Sequence, residues 1–271
     1  FYSGRSGTAS NRIVLQGCDA ANPPVLRGVA DDDGSYGIHL TGDYWELRNL
    51  EVETAQKGIM LDNANNNLIT GLTVHDVGDE AVHFRDGSSY NTIEHSQIYA
   101  TGKYQAQYGE GVYVGSDGGT STYEHTVVDN VIRQVDFMAG ITAEHIDVKE
   151  GATGTLIEYN DFDGTGISGQ NSADSFVDIK GVNSIVRFNT GRRNGNSNVV
   201  DAFQVRTHSD CCATGTNNRF NDNSVHLDGI GSTNSSNGYV VYATSQATGT
   251  TSTNDRRTDG NGNIYNRNVN R

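Results

Sequence analysis

A short apolar, variable, apolar element returns along the whole chain, usually behind a small residue. Its eight copies are Ile38-His39-Leu40, Ile59-Met60-Leu61, Val82-His83-Phe84, Val112-Tyr113-Val114, Ile146-Asp147-Val148, Val177-Asp178-Ile179, Phe203-Gln204-Val205 and Val240-Val241-Tyr242. Alternation with a period of two is the pattern of a half-buried strand, and no run with apolar residues at i, i+3, i+4 and i+7 lasts beyond one or two turns. A second strand follows in most units, with Asn near its start or just after it: Asn67-Leu68-Ile69, Asn91-Thr92-Ile93, Leu156 to Asn160, Ser184 to Asn189 and Asn263-Ile264-Tyr265. Each unit therefore reads strand, turn, strand, loop. First strands are spaced 21, 23, 30, 34, 31, 26 and 37 residues apart, a constant core with variable loops. This is the mark of a solenoid, whose insertions build a binding rim. A propeller would need ~40–50 residues and four strands per repeat, and a sandwich would not keep one recurring strand. The expected fold is all-β, a single right-handed parallel β-helix of about nine coils spanning residues 1–271 as one domain.

In such a stack, equivalent residues of successive coils lie about 4.8 Å apart, so the sequence can be read as columns. The residue between the two apolar ones, and the residue after them, are expected to face outward. The first of these columns reads His39, Met60, His83, Tyr113, Asp147, Asp178, Gln204, and the next Thr41, Asp62, Arg85, Gly115, Lys149, Lys180, Arg206. A third, two residues ahead of the element, reads Tyr36, Lys57, Glu80, Glu110, Glu144, Ser175, Asp201. Charges are segregated by sign, and stacked like charges repel unless something offsets them.

Composition narrows the class. With 33 glycines, two prolines and only 34% hydrophobic residues the chain is polar, yet its β-branched and aromatic residues recur in bursts, unlike a disordered chain. No apolar stretch approaches the ~20 residues of a membrane span. A net charge of −14 argues against nucleic acid as a partner, and any polyanion must meet local cations. The three cysteines, Cys18, Cys211 and Cys212, make neither a disulfide framework nor a metal motif; the last two either form a vicinal bridge or stay as thiols. Polar composition and an N-x-S sequon at Asn234 point to a secreted protein, expected to be a monomer.

Glu80, Glu110 and Glu144 are consecutive in their column, with Asp79 adjacent, so three or four carboxylates could share one ion. Hard oxygen donors in an irregular cage suit Ca²⁺, whereas Zn²⁺ would call for His or Cys. Lys149 and Lys180 are neighbours with Arg206 beyond, and clustered cations depress one another's pKa, which would make one lysine a general base. The alternative for these lysines is a salt-bridge ladder with Asp147 and Asp178.

The stretch Glu144-His145-Ile146-Asp147-Val148-Lys149, followed by the strand Leu156 to Asn160, resembles the Glu-x-Ile-x-x-Lys segment of β-helical polysaccharide lyases of the alginate lyase and chondroitinase B type. The resemblance implies that Glu144 binds Ca²⁺, that Lys149 abstracts the proton α to a uronate carboxylate, and that an arginine of a neighbouring coil assists. Arg206-Thr207-His208 approximates the family's Arg-His pair two coils on instead of one, Lys180 holds the next-coil position, and Thr142 stands where the family has an upstream carboxylate. The expected activity is calcium-assisted β-elimination in an anionic, uronic-acid polysaccharide. Lys149 or Lys180 would be the base, Tyr113 or His83 would protonate the departing oxygen, and Arg206 or Arg85 would grip carboxylates through a forked contact. Asp147, Asp178 and His208 would also touch the sugar. Two competitors stand beside this reading: a polygalacturonase-type hydrolase using Asp147 and Asp178 as its acid pair, and a non-catalytic carbohydrate-binding solenoid.

Overall fold

The computed structural model describes residues 1–208, 211–231, 237–260 and 262–271, so the Asn234 sequon lies outside the described residues. The chain winds as a right-handed parallel β-helix. Nine first strands stack in chain order into one sheet: Tyr2–Ser3, Tyr36–Leu40, Lys57–Asp62, Val82–Arg85, Val112–Val114, Ile146–Val148, Val177–Ile179, Phe203–Val205 and Val241–Ala243. All are parallel. Register places Met60 beside His83, His83 beside Tyr113, Tyr113 beside Asp147, Asp147 beside Asp178 and Asp178 beside Gln204, the column expected from sequence. The last strand departs by one residue, because Phe203 pairs with Val241 and Gln204 with Tyr242. Consecutive valines at 240 and 241 leave the pattern ambiguous there, and the hydrogen bond from the Phe203 amide to the Val240 carbonyl at 3.0 Å sets the register.

A second ladder of nine strands runs from Ile13–Gln16 to Thr251–Thr253. Seven further strands, including Glu51–Glu53, Asp161–Asp163 and Thr190–Arg192, form a third face that joins the second through the long strands Thr92–Tyr99 and Val131–Phe137. The two-strand unit expected from sequence missed this face. Its strands are two or three residues long and most bury a single residue, such as Val52 or Phe162, so they lack the apolar, variable, apolar triplet of the first strand. Asn263-Ile264-Tyr265 is also not a second strand, since Tyr265 instead bridges to Val241 of the first sheet.

The asparagines of the second strands form ladders along the stack. The Asn67 amide donates to Asn91 Oδ1 at 2.9 Å and the Asn91 amide to Asn130 Oδ1 at 2.9 Å. A second run passes from Asn160 to Asn189 to Asn223 to Asp255 at 2.9, 3.0 and 2.9 Å. Coil turns leave backbone amides without a strand partner, and each amide left unpaired in the interior would cost about 1–3 kcal/mol. Inside the coils Phe137, Phe162 and Phe176 stack at centroid distances of 5.2 and 5.8 Å, and one continuous apolar core runs the length of the helix. The small residue ahead of the first strand has a steric cause. A Cβ on Gly111 would meet the His145 carbonyl at 2.6 Å and the Phe137 ring at 2.7 Å. Cys211 and Cys212 form the vicinal disulfide, and Cys18 is an exposed thiol. No helix among the described residues is long and apolar enough to cross a membrane.

Candidate active site

Because the first-sheet strands are all parallel, the loops that precede them line one edge of the sheet and the loops that follow them line the other. Segments 100–111 and 164–175 belong to the first edge, and their short helical turns, Ala106–Tyr108 and Gln170–Ser172, pack against each other. Segment 115–126 and residues 206–208 and 211–216 belong to the second edge. Between the rims lies a cleft of about 200 Å³ lined by Glu110, Asp117, Glu144, Asp147, Lys149, Asn171, Ser172, Asp178, Lys180, Arg206 and His208. The rims change the meaning of the outward columns. Asp147, Asp178, Lys149 and Lys180 face away from the core yet are buried, and Met60 is covered completely.

On the cleft floor the acidic and basic columns interlock. Lys149 Nζ lies 2.9 Å from Asp147 Oδ2, Lys180 Nζ lies 2.8 Å from both Asp147 Oδ1 and Asp178 Oδ2, and Arg206 Nε lies 3.7 Å from Asp178 Oδ2. Strand spacing thus turns segregated columns into an alternating chain of charges. Burial alone would raise the Asp147 carboxyl, but the two lysines outweigh it and hold it at about 2. The expected mutual depression of the lysines is overturned by the same geometry. Burial lowers Lys149 and Lys180, yet Asp147 lies between them and acts on both, with Glu110 and Asp117 adding to its effect on Lys149 and Asp178 to its effect on Lys180, so both end well above the ordinary lysine range.

Glu110 and Glu144 are the unbalanced members. With Asp147 they offer one oxygen each within 4.8 Å of one another, at 4%, 6% and 3% exposure. Burial, then Glu80 and Asp147, push Glu110 up to about 8, and burial, then Asp147 and Asp178, push Glu144 well above the carboxylate range. Asp178 Oδ1 is also buried without a hydrogen-bond partner among the described residues. Tyr113 stands beside this group, its ring centroid 4.9 Å from Lys149 Nζ. Burial and the charges of Asp147 and Glu110 raise its hydroxyl well above the phenol range, which keeps it protonated.

No protein-family model matches the sequence, and neither does any curated protein. Solved structures do match. The alginate lyase from Paenibacillus sp. str. FPU-7 superposes with a TM-score of 0.94 at 46% identity, over 100% of this chain and 88% of that one. The chain belongs to the β-helical polysaccharide lyases. Pectate lyase Pel9A, at TM-score 0.58, 16% identity and 100% and 64% coverage, shares the fold of this lyase. So does the DFA-IIIase from Arthrobacter chlorophenolicus A6, at TM-score 0.62, 12% identity and 98% and 65% coverage.

In the lyase, the cleft gathers Glu110, Glu144, Asp147, Lys149, Asp178, Lys180, Arg206 and His208 from the residues expected by sequence, with Tyr113 against Lys149. Four others lie apart from its lining. Glu80 is drawn to Lys57 Nζ at 2.6 Å and His83 Nδ1 at 2.8 Å, and although burial raises its carboxyl, these partners hold it at about 2. Asp79 accepts from Gln56 Nε2 at 2.8 Å, so the carboxylate cluster is completed by Asp147 and not by Glu80 or Asp79. His83 has both ring nitrogens engaged, the second 2.8 Å from the Gly115 carbonyl, and packs under Tyr113 with centroids 4.3 Å apart. Among the described residues neither nitrogen is therefore left open toward the cleft. Arg85 spends its fork on Asp62 at 2.6 and 2.8 Å and lies over the Tyr123 ring at 4.3 Å.

The column reading missed Asp117, Asn171, Ser172 and Asp174, all in loops outside the repeat. Asn171 and Ser172 are non-glycine residues at φ 51° and 65°, an uncommon conformation held at the cleft wall. Asp174 accepts from Arg206 Nη2 at 3.1 Å and aims that guanidinium along the cleft. Rim loops have no period, so no sequence signal places them.

Proposed function

We propose that this lyase cleaves a uronate polysaccharide of the alginate class by β-elimination, with Lys149 as the base and Tyr113 as the proton donor. The observation that carries the reading is the contact of Lys149 Nζ with the Tyr113 ring, 4.9 Å to the centroid, at the floor of a cleft that also holds Lys180 and Arg206. In a chain with a net charge of −14, Lys149, Lys180 and Arg206 are the cations that line the cleft, set among five carboxylates. Similarity to an alginate lyase at 46% identity supports the substrate class. In the reaction the bond from C5 to its hydrogen breaks and Lys149 takes the proton. The C4–C5 double bond forms, the bond from C4 to the glycosidic oxygen breaks, and that oxygen takes the Tyr113 proton. A hydroxyl kept protonated by burial is suited to this donation.

Lys149 rests as an ammonium and must lose its proton before it can act, so turnover should rise toward alkaline pH. Lys180 braces Asp147 and Asp178, while Arg206 and His208 are available to substrate carboxylates and hydroxyls along the downstream cleft. Glu110, Glu144 and Asp147 fit a Ca²⁺ ion, being oxygen-only donors whose mutual repulsion is otherwise relieved by protonating carboxyls. Such an ion, when bound, would neutralise the uronate carboxylate and so acidify the adjacent hydrogen. The hydrolase alternative needs a protonated carboxyl in its pair, and the two lysines keep Asp147 ionised, at about 2. Secretion is part of the proposal, supported by the Cys211–Cys212 disulfide, which persists in oxidising compartments.

The test is near-ultraviolet absorbance from unsaturated products on alginate, pectate and glucuronan, with Ca²⁺ or chelator. Alginate should give the signal, and Lys149→Ala should lose ~10²–10⁴-fold in turnover in protein that still melts cooperatively, at a lower temperature because Asp147 loses one of its two lysines. Retention of more than about a tenth of the activity would falsify the base assignment. Activity indifferent to chelator would remove calcium from the proposal and leave Lys149 and Tyr113 in place.

A further inference from the structure

We propose that Asp117, Glu150 and His208 form a second cation site, suited to a first-row divalent ion such as Zn²⁺ or Mn²⁺, at the edge of the cleft. Each offers one ligand atom, and the three atoms lie within 4.8 Å of one another. The group shares no residue with the Glu110, Glu144 and Asp147 cluster.

Glu150 supplies the independent observation. Its side chain is 0% exposed, and Oε2 is buried without a hydrogen-bond partner among the described residues. A buried carboxylate oxygen left unpaired is expensive, and native structures normally satisfy such an atom with a donor, a water or an ion. The other oxygen is fixed: Oε1 accepts the Gly118 N–H at 2.7 Å and lies 3.0 Å from His208 Nδ1. Asp117 is arranged in the same way. Its Oδ1 accepts the Gly119 N–H at 2.8 Å, while Oδ2 lies 3.8 Å from Lys149 Nζ, its one ionic contact among the described residues. Consecutive backbone amides therefore hold each carboxylate through one oxygen and leave the other without such a bond, and outer hydrogen bonds of this kind orient metal ligands.

Donor chemistry separates this group from the catalytic one. An imidazole with two carboxylates suits Zn²⁺ or Mn²⁺, whereas three carboxylates suit a hard ion such as Ca²⁺. With three protein ligands, a fourth position stays open for water or a sugar oxygen. Placement gives the ion a purpose. Asp117 comes from the loop after Val112–Val114, Glu150 from the end of the coil that carries Lys149, and His208 from the loop after Phe203–Val205. An ion held by all three would clip the two rim loops of one sheet edge together beside the base.

The experiment uses the full chain after chelator treatment, titrated calorimetrically with Zn²⁺, Mn²⁺ and Ca²⁺ and followed by thermal melts. Wild type and the Glu110→Gln/Glu144→Gln double variant should each bind one equivalent of Zn²⁺ or Mn²⁺ and melt higher with it. His208→Ala, whose side chain is 52% exposed and carries little packing, should fold and bind at least ~10-fold more weakly. Glu150→Gln should show the same loss, and if that buried change prevents folding His208→Ala decides alone. The proposal is overturned if wild type binds neither ion, if His208→Ala binds as wild type does, or if only the double variant loses the site. None of these readouts depends on lyase activity, so the assignment of Lys149 and Tyr113 can fail without affecting it.

Discussion

Two stretches of the same sheet face carry similar residues and resolve their charges in opposite ways. Upstream, around Lys57, Glu80, His83, Asp62 and Arg85, the main charges are matched: Glu80 by a lysine and a histidine, Arg85 by both oxygens of Asp62, with one oxygen of Asp79 the exception. Glu80 is accordingly a stable carboxylate, at about 2. Downstream, around Glu110, Glu144, Asp147 and Lys149, the matches do not close. Asp147 takes both lysines, and Glu110 is left with a pKa near 8. Closed ion pairs hold coils together, whereas an unbalanced buried group waits for a ligand. Residue type alone does not distinguish a structural carboxylate from a functional one; the difference lies in what the neighbouring coil supplies.

The sharpest way to break this contrast is to remove one aromatic hydroxyl and the ring beneath it in turn. Tyr113→Phe should cut turnover by ~10²–10⁴-fold with little change in KM, whereas His83→Ala should keep turnover within about fivefold and lower the melting temperature. Equal kinetic losses from both would show that the upstream group is catalytic too. Next in size is the pH dependence of the wild type. Lys149 is held above the usual lysine range, so its neutral fraction grows about tenfold per pH unit, and kcat/KM should climb steeply from pH 6 to 9. A flat profile over that range would detach Lys149 from proton abstraction in the free enzyme.

Arg85→Ala should cost stability instead of chemistry. It leaves Asp62 with His39 Nε2 at 2.8 Å as its remaining ionic partner, and loss of the guanidinium from this partly buried group costs about 3 kcal/mol or less, seen as a shift in denaturant midpoint with unchanged kcat. The last effect is a gain. A carboxyl whose folded pKa is raised contributes stability that is complete below its unfolded value near 4.5 and is lost as pH rises through about 8. In chelator, Glu110→Gln should therefore match wild type at pH 4 and melt higher at pH 9, by ~2–4 °C for each kcal/mol relieved. If the variant melts lower at pH 9, Glu110 is satisfied by a partner and the contrast between the two stretches fails.

Much of the fold was legible in the sequence, because a parallel β-helix repeats one local rule. Eight apolar pairs alternate with one variable residue, and the stack converts that into columns that the observed register reproduces from His39 to Gln204. The asparagines flanking the second strands were visible too, since each coil needs the same amide satisfied at the same place. The third face escaped notice because its strands, such as Glu51-Val52-Glu53 and Asp161-Phe162-Asp163, lack the apolar, variable, apolar triplet that marks the first strand. The sequence by itself also determined the sign of each column, and with it the candidates Glu110, Glu144, Asp147, Lys149, Lys180 and Arg206. Only the tertiary structure decided which of them remain unbalanced. A pKa depends on every charge within a few ångströms and on the loss of water, and both are set by the coil above, the coil below and the rim loops. Lys149 and Lys180 looked like two cations lowering each other until Asp147 was found between them. Asp117, Glu150 and His208 are 33 and 58 residues apart along the chain, and only the closing of two rim loops over one coil brings their ligand atoms together.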